Sequence, residues 1–207
     1  GEPFRRRLSA GMRTLARTAG PRFAAVLDGA TATVYATVLV LTVVLVGEAT
    51  PGDPATPLAV ALVAFGLGSI ALALSLGALL RRASDVRVMR AGAVLSVVAL
   101  GSTAAIAASG NLSVPAIAVV WFSLGVASSA ISTPSARFIR REVPAEGHAA
   151  VFAARFSTSH AWYALTYPVA GGVAALASPV TALVALATIA AACAVATIPM
   201  EVMGRRD

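Results

Sequence analysis

Apolar residues gather into six long blocks, at about residues 23–47, 56–80, 89–109, 115–135, 149–176 and 179–200. Each approaches or exceeds the ~20 residues that an α-helix needs to cross the hydrocarbon core of a bilayer. Short polar stretches separate the blocks. Gly, Pro and Ser mark most boundaries, as in Thr50-Pro51-Gly52-Asp53-Pro54 and Ser178-Pro179. Backbone groups in lipid must find partners internally, which a helix achieves within one segment. The pattern therefore predicts an all-α membrane protein whose transmembrane domain, residues 23–200, has six helices. The fifth block contains Pro168 and is longer than a crossing requires, so a tilt or kink is expected there.

Ahead of the blocks, residues 1–22 carry Arg5, Arg6, Arg7, Arg13, Arg17 and Arg22, while Phe4, Leu8, Met12 and Leu15 recur at helical spacing. Such a basic amphipathic segment suits the cytoplasmic membrane surface, with a disordered basic tail as the alternative. Residues 201–207 form a short cytoplasmic tail. The chain opens on Gly1 with no visible signal peptide, as expected of a piece of a longer protein.

Composition agrees with the blocks. Hydrophobic residues make up 58% of the chain and charged residues 12%, with a mean hydropathy of +0.84. An average soluble domain carries roughly 25% charged residues, so this surface is not built for water. A net charge of +7 on a soluble chain would point to nucleic acid. Here every basic residue is an arginine, and nearly all sit at block ends, which reads as topology and lipid contact instead. The single cysteine, Cys193, lies in the last block and reads as a small buried hydrophobe.

Charge also orients the blocks. Arg81, Arg82, Arg87 and Arg90 follow the second; Arg137, Arg140 and Arg141 follow the fourth; Arg205 and Arg206 end the chain. The alternate loops hold no arginine. By the positive-inside rule both termini and the two basic loops are cytoplasmic. Small residues, among them Gly66, Gly68 and Gly77 in the second block and Gly125, Ser128, Ser129 and Ser132 in the fourth, suit close helix contact.

Three ionisable residues remain inside the blocks: Asp28, Arg155 and His160. Placing each in hydrocarbon costs several kcal/mol, so each should face a cavity, a partner or the interface. Thr31, Tyr35 and Thr42 follow Asp28 on nearly one helical face. The stripe could line a water-filled path in which Asp28 takes up and releases a proton, or Asp28 could be an interfacial residue stabilised by the helix dipole. Arg155 could snorkel to the headgroups or pair with a carboxylate on another helix. His160, with Tyr163 and Tyr167 on its face, could line a substrate cavity or serve packing. No serine-hydrolase, metalloprotease or phosphate-loop motif is present, and His148 and His160 are poorly placed as a metal pair. No enzyme, metal or cofactor is therefore expected.

Six spans with basic loops after the second and fourth resemble one half of a major facilitator superfamily transporter. Gly77-Ala78-Leu79-Leu80-Arg81-Arg82-Ala83-Ser84-Asp85 stands in the place of that family's Gly-x-x-x-Asp-Arg-x-Gly-Arg loop. Gly77 and Arg82 agree with it, whereas Arg81, Ser84 and Asp85 replace Asp, Gly and Arg; weak forms of this loop are usual in the C-terminal half. Thr133-Pro134-Ser135-Ala136-Arg137 through Arg141-Glu142-Val143-Pro144-Ala145-Glu146 resembles the fourth helix of a half running into its basic loop. Tyr167-Pro168-Val169-Ala170-Gly171-Gly172 is similar to the antiporter signature Gly-Pro-x-x-Gly-Gly, with Tyr167 for the first glycine.

The resemblance implies a bundle of inverted three-helix repeats, helices seven to twelve of a twelve-helix permease in a bacterial plasma (inner) membrane. It implies proton-coupled efflux of a small molecule by alternating access. Asp28 would be the proton or cation site, Tyr35, His160, Tyr163 and Tyr167 cavity lining, and Gly77, Arg82 and Arg137 the cytoplasmic gate. Arg155 would be a charge partner or anchor, and Pro168, Gly171 and Gly172 a bend. The implied partners are the substrate, the bilayer and a missing N-terminal half or a second copy. The alternatives are a complete half-size transporter acting as a dimer, an intramembrane enzyme and a non-transporting scaffold.

Overall fold

A computed structural model describes residues 4–50 and 52–200; the tail 201–207, with Arg205 and Arg206, lies outside the described residues. Seven helices and no strand occur among them. The first, α1 (Phe4–Arg17), belongs to the basic segment. It is followed by α2 (Ala19–Ala49), which contains a π-helical turn at Thr37–Leu41. Then come α3 (Ala55–Leu80), α4 (Asp85–Ala108), α5 (Val114–Glu142), α6 (His148–Leu176) and α7 (Pro179–Ala196).

The helices follow the six apolar blocks closely. The largest difference is α5, which runs seven residues past the expected end at 135, through Pro134 and the arginines, to Glu142. Exposed arginine is a good helix former, so a polar stretch need not be a loop. Ser84 and Ser178 start α4 and α7 by accepting the backbone N–H of Arg87 and Thr181. The turn after α4 requires Gly110, whose φ of +69° lies in the left-handed region.

Five helices (α2, α3, α4, α5 and α7) are long and apolar enough to cross a membrane, as expected of a multi-pass membrane protein. The sequence predicts six crossings. The helix outside the set is α6, whose 29 residues are ample in length but whose hydropathy is lowered by Arg155, His160 and its Ser, Thr and Tyr residues. The helix continues through Pro168.

The core lies around α2, the most buried of the five, which packs against α5, α6 and α7. The principal remaining contacts are α3 with α5, α4 with α5, α4 with α7, and α6 with α7. Exchanging α2 with α5, α3 with α6 and α4 with α7 carries most of these contacts onto one another. The α3–α5 seam depends on missing side chains: a Cβ on Gly68 would run into the Phe122 carbonyl, and one on Gly125 into that of Phe65. Gly66 and Gly77, also expected at helix contacts, have no neighbour within 4 Å of a built Cβ. Beside α6 lies α1, where Leu15 packs with Ala25 and Ala154 and Gly11 abuts the Ala150 carbonyl.

Candidate functional site

Counting 1.5 Å per residue, Asp28 lies about 13 Å along α2 from its first residue, and Arg155 about 10 Å along α6. The two helices begin at the same end of the bundle, so the side chains stand at similar depths. They meet as a fork: Arg155 Nε donates to Asp28 Oδ2 at 2.8 Å and Nη2 to Oδ1 at 2.6 Å. The side chains are 14% and 9% exposed, which makes this an ion pair within the bundle rather than at its surface. Two-point pairing matches the planar guanidinium to the carboxylate and fixes both orientations. Of the alternatives open for Arg155, the structure displays the carboxylate partner.

Around this pair the aromatic residues of α6 form a ladder. Phe156 stacks on His160 at 4.1 Å between ring centroids, His160 meets Tyr163 edge-on at 5.6 Å, and Tyr163 lies 5.6 Å from Tyr167. From α2, Tyr35 joins edge-on to Tyr163 at 6.1 Å and reaches Phe65 of α3 at 5.9 Å. Tyr35, His160, Tyr163 and Tyr167 are thus one cluster. His160 Nδ1 lies 2.8 Å from the Phe156 carbonyl of its own helix, and its ring is exposed.

Two further contacts clamp α6 to α2. Trp162 Nε1 donates to the Ala25 carbonyl at 3.1 Å, and Thr166 Oγ1 to that of Ala32 at 3.2 Å. Gly29 makes room for the Trp162 ring and the Cys193 thiol. One turn along α2 from Asp28, the buried Thr31 hydroxyl has no hydrogen-bond partner among the described residues. Helical threonines commonly satisfy this group on a carbonyl one turn back, as Thr33 and Thr37 do here.

The polar stripe on α2 is interrupted before Thr42. The π turn at Thr37–Leu41 adds a residue to the helical repeat and rotates the remainder of the helix. Thr42 consequently accepts Trp121 Nε1 of α5 at 2.9 Å.

At the arginine-rich end, Arg137 donates to Asp85 Oδ1 at 2.5 Å and Arg141 to Asp85 Oδ2 at 3.1 Å. Asp85 is buried as the first residue of α4, where the helix dipole also favours a carboxylate. Arg137 therefore faces Asp85, whereas Arg82 is exposed in the turn and Gly77 only lends its carbonyl to Arg81. Two more charged residues bind neighbouring helix ends. Glu142 accepts the Gly20 N–H at 2.8 Å, and Arg90 donates to the Thr197 carbonyl at 2.6 Å while lying over the Phe23 ring. The sequence reading does not single out Asp85, Arg90, Arg141 or Glu142 as site residues. Asp85 had a signal, being the sole acid in its basic loop and directly following an N-capping serine. Of the bend residues, Pro168 is exposed, Gly171 lies beside Val40 of the π turn, and Gly172 has open space.

No match was found. No protein-family model, curated protein or solved structure matches the chain. The site's geometry comprises a buried ion pair and a half-buried tyrosine cluster joining α2 to α6, with one buried hydroxyl on α2 that has no partner among the described residues.

Proposed function

We propose that the chain forms one six-helix half of a carrier of the major facilitator kind and moves a small molecule across a bacterial plasma membrane by proton-coupled alternating access. The observation that carries this reading is the forked Asp28–Arg155 pair between α2 and α6. Guanidinium stays charged at any physiological pH, whereas a carboxylate can be neutralised. A proton on Asp28 therefore breaks the fork and frees Arg155. The α2–α6 seam then loses its ion pair and keeps the Trp162 and Thr166 bonds, the ring contacts and apolar packing such as Ala25 on Ala154. Such a seam has two states, as alternating access requires.

Tyr35, Tyr163, Tyr167 and His160 offer the cargo aromatic faces with polar edges, and Thr31 offers a further polar group. The exchange pattern among the helices is the arrangement an inverted three-helix repeat would have. The Asp85–Arg137–Arg141 cluster, joining α4 to α5 at the basic end, takes the gate role that the loop resemblance gave to Gly77, Arg82 and Arg137. In this reading a second six-helix unit completes the pathway, and α6 is the sixth crossing.

The test is gradient-driven flux in proteoliposomes containing the full-length protein. Ethidium serves as a cationic probe and carboxyfluorescein as an anionic one, each followed with and without an imposed pH gradient. Gradient-driven movement of one probe is expected in the wild type, with at least a tenfold loss in Asp28→Asn. Unchanged gradient-driven flux in Asp28→Asn would discard the coupling role.

A further inference from the structure

Away from Asp28, a half-open apolar groove of about 290 Å³ runs between α3, α4 and α5. Ala91 and Ala130 line it with small side chains, and Leu72, Leu79 and Leu95 supply apolar lining. Along α4 it extends from Arg87 to Leu95, eight residues or about 12 Å. That length takes up most of one leaflet of a hydrocarbon core about 30 Å thick.

One end of the groove lies in the first turn of α4, at the arginine-rich end of the bundle. Arg87 lines it and is exposed, and its guanidinium has no hydrogen bond or ion pair among the described residues. Nearby, Arg81 reaches only the Gly77 carbonyl of its own helix at 3.3 Å, and Arg82 is exposed. The carboxylate in this turn, Asp85, is buried and taken by Arg137 and Arg141. The mouth is thus cationic with no anion of its own among the described residues, and the interior is a channel for hydrocarbon. We infer that the groove holds one acyl chain of an anionic phospholipid whose phosphate rests on Arg87.

Both halves of the site select this ligand. Inorganic phosphate would use the cation and leave the groove unfilled. A zwitterionic lipid would fill the groove, but its ammonium would oppose the arginine cluster. A single anionic headgroup with its own chain satisfies both. The inference does not depend on transport, so it can fail while the proposed function stands, and the reverse.

The experiment equilibrates the purified chain in detergent with equal amounts of phosphatidylglycerol and phosphatidylcholine of identical acyl chains, and counts retained lipid by native mass spectrometry. At least fivefold more bound phosphatidylglycerol is expected. Arg87→Gln should bring the ratio close to one. Ala91→Phe, which fills the groove, should cut retention of both lipids at least fivefold at wild-type helicity, and Arg22→Gln, on the first turn of α2, should change neither quantity. An unchanged preference in Arg87→Gln would overturn the inference, as would displacement of the lipid by millimolar inorganic phosphate.

Discussion

Asp28 and Arg155 bind each other in a setting where neither could stand alone. Removing one partner of a buried ion pair leaves the other unpaired, at a cost of about 3–5 kcal/mol, whereas removing both together costs far less. Asp28→Asn and Arg155→Gln should each destabilise the folded chain by about 3 kcal/mol, the low end because Arg155 is not wholly buried. The double substitution should cost much less than the sum. Unfolding in mixed micelles, run as a double-mutant cycle, measures this; simple additivity would mean that the pair does not hold α6 to α2. Glu142 works by a hydrogen bond from Gly20 at the start of α2, where Thr18 provides no side-chain cap. Glu142→Ala should therefore cost about 1–2 kcal/mol, and Glu142→Gln, which keeps an acceptor, less than half of that. The same unfolding assay separates them. Both residues lie in the sequence with their chemistry plain. The pairing is not plain, because the partners stand 127 and 122 positions apart and meet only once the helices pack.

Hydrophobic blocks made the helices readable, since a bilayer-length apolar run has few alternatives to a helix. What the blocks hide is rotation and closeness. Nothing in Thr37-Val38-Leu39-Val40-Leu41 distinguishes a π turn from an α turn, yet across that turn Tyr35 meets Tyr163 on α6 whereas Thr42 meets Trp121 on α5. Glycines are equally silent. Gly66, Gly68 and Gly77 share one helix, and only Gly68 lies against a neighbouring backbone. Gly68→Ala should push α3 off α5 and destabilise by about 1–3 kcal/mol, the usual cost of overpacking. Gly77→Ala, free of neighbours, should be neutral or stabilise by up to about 1 kcal/mol through helix propensity. Comparing the two by thermal unfolding in detergent tests the seam, and an equal response from both would place the α3–α5 contact elsewhere.

Over the whole molecule, α6 stands apart, since its apolarity falls short of the other five long helices. Hydropathy counts polar side chains as though they faced lipid unpaired, and those of α6 largely do not. Arg155 is held by Asp28, and Trp162 and Thr166 donate to carbonyls of α2. Ser157, Thr158 and Ser159 donate to carbonyls of α6 itself, and His160 bonds there too. Polar groups satisfied in this way carry much less of the transfer cost that a hydropathy average assigns them. The helix should therefore cross, with Ala177 on the opposite side of the bilayer from Glu146. By the positive-inside rule the arginine-rich loops would then lie on the cytoplasmic side. With Cys193→Ala as background, Ala177→Cys and Asn111→Cys should react with a membrane-impermeant maleimide on intact cells, and Glu146→Cys only after permeabilisation. Labelling of positions 146 and 177 from the same side would remove the sixth crossing, and with it the three-plus-three arrangement on which the carrier reading depends.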